Sequence, residues 1–280
     1  ITAAVADGQL QIPPGAMLWL FAGFTLAFAI KAPLWPFHTW LPGAAVAATP
    51  ASAVLMMAVI DKVGTFAMLR YSLPLFPDAA QTAAPVLITL AVISVIYGGL
   101  MAIAQTDLLR LIAYASISHF GFIVLGIFAQ TEQGAAGSTL YMVNHGIATA
   151  ALFLVAGFLV RRHRTREIGS YGGVQQVAPV LAAVFLIAGL ATLSLPGLAP
   201  FISEFLVFVG TFGPYPVAAV LGTATFVLAA IYILWTYQRV MGGPVAPGLG
   251  ATPDLSTRER VVLAPLVVAL IVLGFFPQPA

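Results

Sequence analysis

Both lysines of the chain, Lys31 and Lys62, lie inside apolar runs rather than in the connecting segments. Lys62 sits at the centre of its run. An ammonium at that depth in hydrocarbon costs roughly 2.5–3.5 kcal/mol, and such residues usually face a bundle interior and serve ion or proton traffic. A structural ion pair with a neighbouring helix is the alternative. Lys31 stands just before Pro33, where carbonyls freed by a broken helix and the negative end of a half-helix dipole suit a cation; snorkelling to the interface is the competing reading. Burial favours a neutral amine and a nearby carboxylate favours an ammonium, so a lysine between the two can gain and lose a proton.

His119, in Tyr114-Ala-Ser116-Ile-Ser118-His119, falls mid-span among hydroxyl groups that could hold waters, and His145 follows Asn144 in the next run. An imidazole accepts at one nitrogen and donates at the other near neutral pH, as a relay requires. A lone buried histidine is usually structural. Two on consecutive spans, with a central lysine, favour the relay. Glu204, in Pro200-Phe-Ile-Ser-Glu204-Phe, is the one glutamate inside an apolar run. It is expected in the outer half of its helix, passing protons to the outside, or else packing through a hydrogen bond to Ser203. Asp61 adjoins Lys62, but neighbouring helix residues do not face one another, so it either tunes that lysine or pairs elsewhere. His38 lines an approach to the site or caps a half-helix. The cluster from Arg161 to Arg166 reads as a solvated topological anchor.

These side chains need helices to hold them at depth. A hydrocarbon core of about 30 Å takes roughly 20 helical residues to cross. Eight apolar runs approach or exceed that length, near 16–41, 51–73, 83–104, 108–129, 138–160, 178–210, 216–241 and 260–276. Composition agrees: 61% of residues are hydrophobic and 7% charged, against about 25% charged in ordinary soluble domains. Nine acids and eleven bases cannot cover a soluble core, so lipid is the expected solvent for most of the surface. The expected fold is all-α and polytopic.

With no cysteine in the chain, disulfides, Fe–S clusters and thiolate zinc sites are excluded, and the scattered histidines show no metal-ligand spacing. The net charge of +2 does not suggest nucleic-acid binding. No charged signal-peptide start is visible and the first residue is Ile1, so the chain reads as a piece of something longer.

Two long runs are interrupted by prolines, at Lys31-Ala-Pro33-Leu-Trp-Pro36 and at Leu195-Pro196-Gly-Leu-Ala-Pro200. Proline removes a backbone donor and clashes with the preceding turn, so each run is expected to be a broken helix whose freed carbonyls face protein or water. Arg110, Arg161, Arg162, Arg164, Arg166, Arg239, Arg258 and Arg260 flank one set of loops, whereas the opposite loops offer only Arg70. Because Lys and Arg gather on the cytoplasmic side, both chain ends are expected outside.

The segments Lys31-Ala-Pro-Leu-Trp-Pro-Phe-His-Thr-Trp-Leu-Pro42, Gln105 through His119, and Ser194-Leu-Pro-Gly-Leu-Ala-Pro-Phe-Ile-Ser-Glu204-Phe resemble those of the antiporter-like membrane subunits of respiratory complex I. Glu204 stands after the second break, where the related subunit L has lysine, so the pattern resembles the subunit M branch, the relative of mitochondrial subunit 4. The resemblance implies a fourteen-helix fold with two inverted five-helix repeats, of which this chain is the later part. Residues 1–15 would be an outer-side loop and 16–73 two helices ending a truncated first repeat. Residues 83–241 would form the complete second repeat, and 260–276 the final transmembrane helix. The glutamate expected to pair with Lys31 would belong to the missing part.

The resemblance assigns Lys31 and Lys62 to the first channel and its junction with a central polar axis. His119 and His145 would continue that axis, and Glu204 would be the terminal proton carrier. Gly43 stands where family members commonly have aspartate after Trp-Leu-Pro, which leaves that carboxylate without a role here. The resemblance further implies a bacterial cytoplasmic-membrane location and partnership with other membrane subunits and a peripheral redox arm. NADH, FMN, Fe–S clusters and quinone would be held by those partners, with no cofactor in this chain. A subunit of a multisubunit cation/proton antiporter, a membrane-bound hydrogenase subunit, and a purely structural scaffold remain the rival readings.

Overall fold

A computed structural model describes residues 13–277, so the start of the expected outer-side loop at 1–15 lies outside the described residues. The first broken run forms α1 (Pro14–Lys31) and α2 (Trp40–Ala47), with irregular backbone over 32–39 between them. Next come α3 (Pro50–Leu75), α4 (Pro77–Ile103), α5 (Leu108–Phe128) and α6 (Glu132–His163). The second broken run forms α7 (Pro179–Thr192) and α8 (Ala199–Phe212). The chain ends in α9 (Pro216–Met241) and α10 (Thr257–Phe275). Both interruptions fall on the proline motifs, where a continuous ladder would lack donors and clash with ring atoms.

Helix starts follow the sequence chemistry. Proline occupies the first or second position of α1, α3, α4, α7, α8 and α9, where a missing N–H costs nothing. Asp107 caps α5 by accepting from Leu109 and Arg110 N–H at 2.9 and 3.0 Å. Thr131 caps α6 and also donates to Gly210 of α8 at 3.0 Å. Ser256 and Glu259 form a reciprocal capping box at α10.

Among the described residues five helices, α3, α4, α5, α6 and α9, are each long and apolar enough to cross a membrane. The split runs are shorter in each half, and α10 starts with the charged stretch Arg258-Glu259-Arg260. Helix α5 is the axis of the bundle, with 94% of its most apolar 18-residue stretch buried. Its backbone touches α4 directly: a Cβ on Gly121 would stand 2.7 Å from the Ala91 carbonyl oxygen, the close approach that small residues permit between membrane helices. The outer faces instead present Trp19, Val217, Val261 and Phe275, all strongly exposed. A surface of that kind is stable in hydrocarbon and not in water.

The arginine-rich loops converge on one end of the bundle. Arg166 pairs with Asp107 at 3.2 Å and donates to the Val46 carbonyl at 2.7 Å, while Arg162 holds Glu259 at 2.6 Å and the Pro253 carbonyl at 3.0 Å. The basic cluster therefore does more than sit in solvent as an anchor. It ties α2, α5 and α6 to the segment leading into α10.

Asp254 in that segment accepts from the Val180 and Leu181 N–H groups at 3.0 and 2.9 Å, capping α7 from a distance. Burial pushes the Asp254 carboxyl up, but the N–H groups of Val180, Leu255 and Leu181 outweigh it and hold the group below the usual carboxylate range. A folded value below the unfolded one means the cap stabilises above the unfolded value of about 3.9 and is lost as pH falls through the folded value. Asp254→Ala is expected to cost about 1 kcal/mol, read as a lower melting temperature at neutral pH. The gap to the unsubstituted protein should narrow on acidification below pH ~4.

Candidate functional site

Four helices bring the residues at the centre of the site together. His119 lies about halfway along α5, and Tyr141, Asn144 and His145 lie on α6. Glu204 follows the break by little more than a turn on α8, and Tyr232 comes from α9. Tyr141 and His145 are four residues apart and so share one face of α6. That face looks onto His119 and Glu204.

The tightest part of the site is a four-member cluster. The Tyr141 hydroxyl donates to Glu204 Oε1 and is hydrogen-bonded to His119 Nδ1. His119 Nδ1 lies 3.4 Å from the same Glu204 oxygen, and its Nε2 lies 3.1 Å from the Tyr232 hydroxyl. His119 and Glu204 are each 1% exposed, so water cannot compete for these bonds and each is stronger than its surface counterpart. Asn144 closes the cluster by donating to the Ala199 carbonyl at 2.7 Å and to Ser203 Oγ at 3.3 Å. Those bonds pin the first turn of α8, and so Glu204, against α6.

Glu204 is thus paired with a histidine about halfway along α5. Its carboxylate lies against the His119 ring, 3.4 Å from Nδ1.

The row continues from His119 to His145, whose ring centroids are 5.2 Å apart, and His145 Nε2 lies 3.2 Å from Thr149 Oγ1. Phe120 joins His145 to Lys62, with its ring 5.5 Å from the imidazole and 4.9 Å from the ammonium nitrogen, a cation–π distance. Gly146, next to His145, lets α6 approach the backbone of α3: a Cβ there would stand 2.6 Å from the Ala58 carbonyl oxygen.

The backbone around Lys62 is unusual. A π-helical turn over Met56–Ile60 precedes it and another over Met68–Ser72 follows. In the first, Asp61 N–H bonds Met56 five residues back, and the Lys62 ammonium donates to the Met57 carbonyl. Such turns mark functional positions in many helices. Here the wide turn lets a buried cation find a main-chain acceptor on its own helix.

Asp61 engages Lys31 rather than its chain neighbour, at 3.7 Å, with the lysine side chain 39% exposed and Asp61 fully buried. Lys31 is the last residue of α1, at the helix end that favours a cation. Several buried polar atoms along the row have no protein partner among the described residues: both Asp61 oxygens, His145 Nδ1, Asn144 Oδ1, Glu204 Oε2 and Ser194 Oγ. Unpaired buried polar atoms are rare in proteins, and their concentration in one row sets it apart from the surrounding core.

Other side chains singled out in the sequence lie apart. Ser118 donates to the Val95 carbonyl of α4 at 2.8 Å, and Ser116 is buried in α5. His38 caps no helix through its ring; it is 2% exposed and packs edge-on at 4.9 Å against Tyr97 of α4. Tyr141, Tyr232, Thr149 and Ser194 were not picked out by sequence reasoning. For Tyr141 a signal existed, since it precedes His145 by four residues and so shares its helix face.

The architecture is that of an antiporter-like membrane subunit, and the chain belongs to the NADH:quinone oxidoreductase/Mrp antiporter transmembrane family, whose model matches residues 11–231. The Mycobacterium tuberculosis (strain ATCC 25618 / H37Rv) protein named NADH-quinone oxidoreductase subunit M is 61% identical over 279 residues, covering 100% of this chain and 50% of that protein. A chain in the structure of respiratory complex I from Thermus thermophilus with bound NADH matches with a TM-score of 0.87 at 39% identity, over 96% of this chain and 56% of that one. The Mrp complex from Dietzia sp. DQ12-45-1b matches with a TM-score of 0.84 at 19% identity, over 91% of this chain and 55% of that chain, a likeness of fold alone. The chain spans about half the length of the curated relatives it matches.

Proposed function

We infer that this chain is part of a proton-translocating membrane subunit of an NADH-quinone oxidoreductase, of the subunit M type. A proton enters the row at Lys62 and passes to His145 and then to His119. Protonated His119 gives its Nδ1 proton to the Tyr141 oxygen while the Tyr141 hydroxyl proton moves to Glu204. The tyrosine ends unchanged and the carboxylate ends neutral. Oxidation of NADH, the flavin and Fe–S chemistry and the reduction of quinone belong to partner subunits. The subunit resides in the bacterial cytoplasmic membrane with its arginine-rich end inward, and the five helical spans within residues 83–241 act as one repeat.

What supports this reading above all is the Tyr141 bridge, because it joins a mid-span histidine to a buried carboxylate without a gap. Tyr141→Phe removes the bridging oxygen and keeps the ring. In the assembled complex, in membrane vesicles, it is expected to lower NADH-driven proton uptake about tenfold, the loss of one hydrogen-bond step worth about 1.4 kcal/mol. Undiminished uptake would remove the bridge from the path.

The family description also covers Mrp antiporters, and the rival reading is a cation/proton antiporter subunit. The 39% identity to the complex I chain against 19% to the Mrp chain favours the first. Sodium efflux from vesicles without NADH would favour the second.

A further inference from the structure

One buried ionisable group has no part in the path from Lys62 to Glu204. Asp61 is wholly buried, neither of its carboxylate oxygens has a hydrogen-bond partner among the described residues, and it faces one of the chain's two lysines and adjoins the other in sequence. The Lys31 ammonium is 3.7 Å from Oδ1. Next in sequence is Lys62, whose ammonium donates to the Met57 carbonyl in the π-helical turn.

A structural ion pair would look different. Buried pairs that stabilise a fold satisfy their remaining lone pairs with further hydrogen bonds, because desolvation of two charges otherwise outweighs their attraction. Asp61 has no such bonds among the described residues, and Lys31 is more than a third exposed. The lysine is held instead by weaker means, 5.7 Å above the Trp40 ring. Trp40 in turn donates to the Ile30 carbonyl at 2.9 Å, fixing the start of α2 against the end of α1. The backbones of α1 and α3 are in contact at the same level: a Cβ on Gly64 would stand 2.6 Å from Ala32 N and 2.7 Å from the Phe28 oxygen. The scaffold between the lysines is rigid while the Asp61 carboxylate is uncommitted.

We propose that Asp61 is the proton-exchange group that joins Lys31 to Lys62 across the α1–α3 contact. In the first step the Lys31 ammonium gives a proton to the Asp61 carboxylate, leaving a neutral amine and a neutral acid. In the second, the acid gives that proton to a neutral Lys62 amine, restoring the carboxylate and forming the Lys62 ammonium. One proton crosses from α1 to α3, and no other reactant is consumed. The step feeds the row at Lys62, so it rests on the function proposed above.

The test uses the complete complex in membrane vesicles, with its amount in the membrane measured alongside NADH-driven proton uptake. Asp61→Asn keeps the shape and cannot exchange a proton; uptake per assembled complex is expected to fall about tenfold, a loss of about 1.4 kcal/mol. Asp61→Glu should restore at least half of it. Asp61→His cannot act as an anion toward Lys31 yet can carry a proton, and uptake by that variant above the Asp61→Asn level supports exchange over a structural pair. Normal uptake by Asp61→Asn overturns the proposal. So does failure of both the Asn and His variants to accumulate, which would assign Asp61 to holding α1 against α3. Lys62→Ala run in parallel separates the two ideas: if it loses uptake while Asp61→Asn does not, the row stands and only the exchange step falls.

Discussion

Replacing Glu204 by glutamine in the assembled complex is expected to reduce NADH-driven proton uptake at least tenfold while leaving the amount of complex in the membrane near normal. Glutamine keeps the volume of the side chain, so the packing of α8 against α6, secured separately by Asn144 on Ala199 and Ser203, should survive. What disappears is the ability to end the row on a neutral acid. The Tyr141 hydroxyl could still donate to the amide oxygen, so the bond persists in form while the group can no longer accept a proton for keeps. A role limited to packing predicts the reverse, because an isosteric amide is the mildest of replacements at a hydrogen-bonded site. Uptake within twofold of the unsubstituted complex would sink the assignment of Glu204 as the terminal group.

Lys62→Ala should have an effect of similar size by a different route. The ammonium lies between the Met57 carbonyl and the Phe120 ring, and the ring leads on to His145. Alanine removes the only cation at that point and leaves a gap beside Gly146. Uptake is expected to fall at least tenfold, which is about 1.4 kcal/mol or more on the limiting step. Lys62→Arg separates charge from proton exchange: guanidinium stays charged at all accessible pH, so it should keep the cation–π contact yet fail to restore uptake. If the arginine variant pumps normally, the lysine serves as a fixed charge and the relay must begin elsewhere.

Much of this was legible from residue types. The two breaks fall on their proline motifs because the missing N–H and the ring clash act locally, wherever the chain goes next. Lys31, Lys62, His119, His145 and Glu204 stood out because each is expensive in an apolar run, and expense is a property of residue and neighbours in sequence. Asp61 was harder. Adjacency in sequence pointed to Lys62, whereas its nearest cation is Lys31, thirty residues earlier. Tyr141 and Tyr232 were passed over because a tyrosine in an apolar helix is unremarkable until its hydroxyl is seen against a histidine.

By itself, then, the sequence determined that the chain is helical, that it lives in lipid, where its helices break and which ionisable groups must be sheltered inside. All of these follow from backbone donors, helix rise and transfer cost, which act over a few residues. Only the tertiary structure decided which groups meet. It set Glu204 against His119, bridged them by Tyr141 and turned Asp61 toward Lys31. Those choices depend on helix contacts set by small residues such as Gly64, Gly121 and Gly146, and on the widened turn before Lys62. The physical reason is that a direct hydrogen bond needs its donor and acceptor about 2.7–3.2 Å apart, a precision that periodicity along one helix cannot supply for side chains drawn from several.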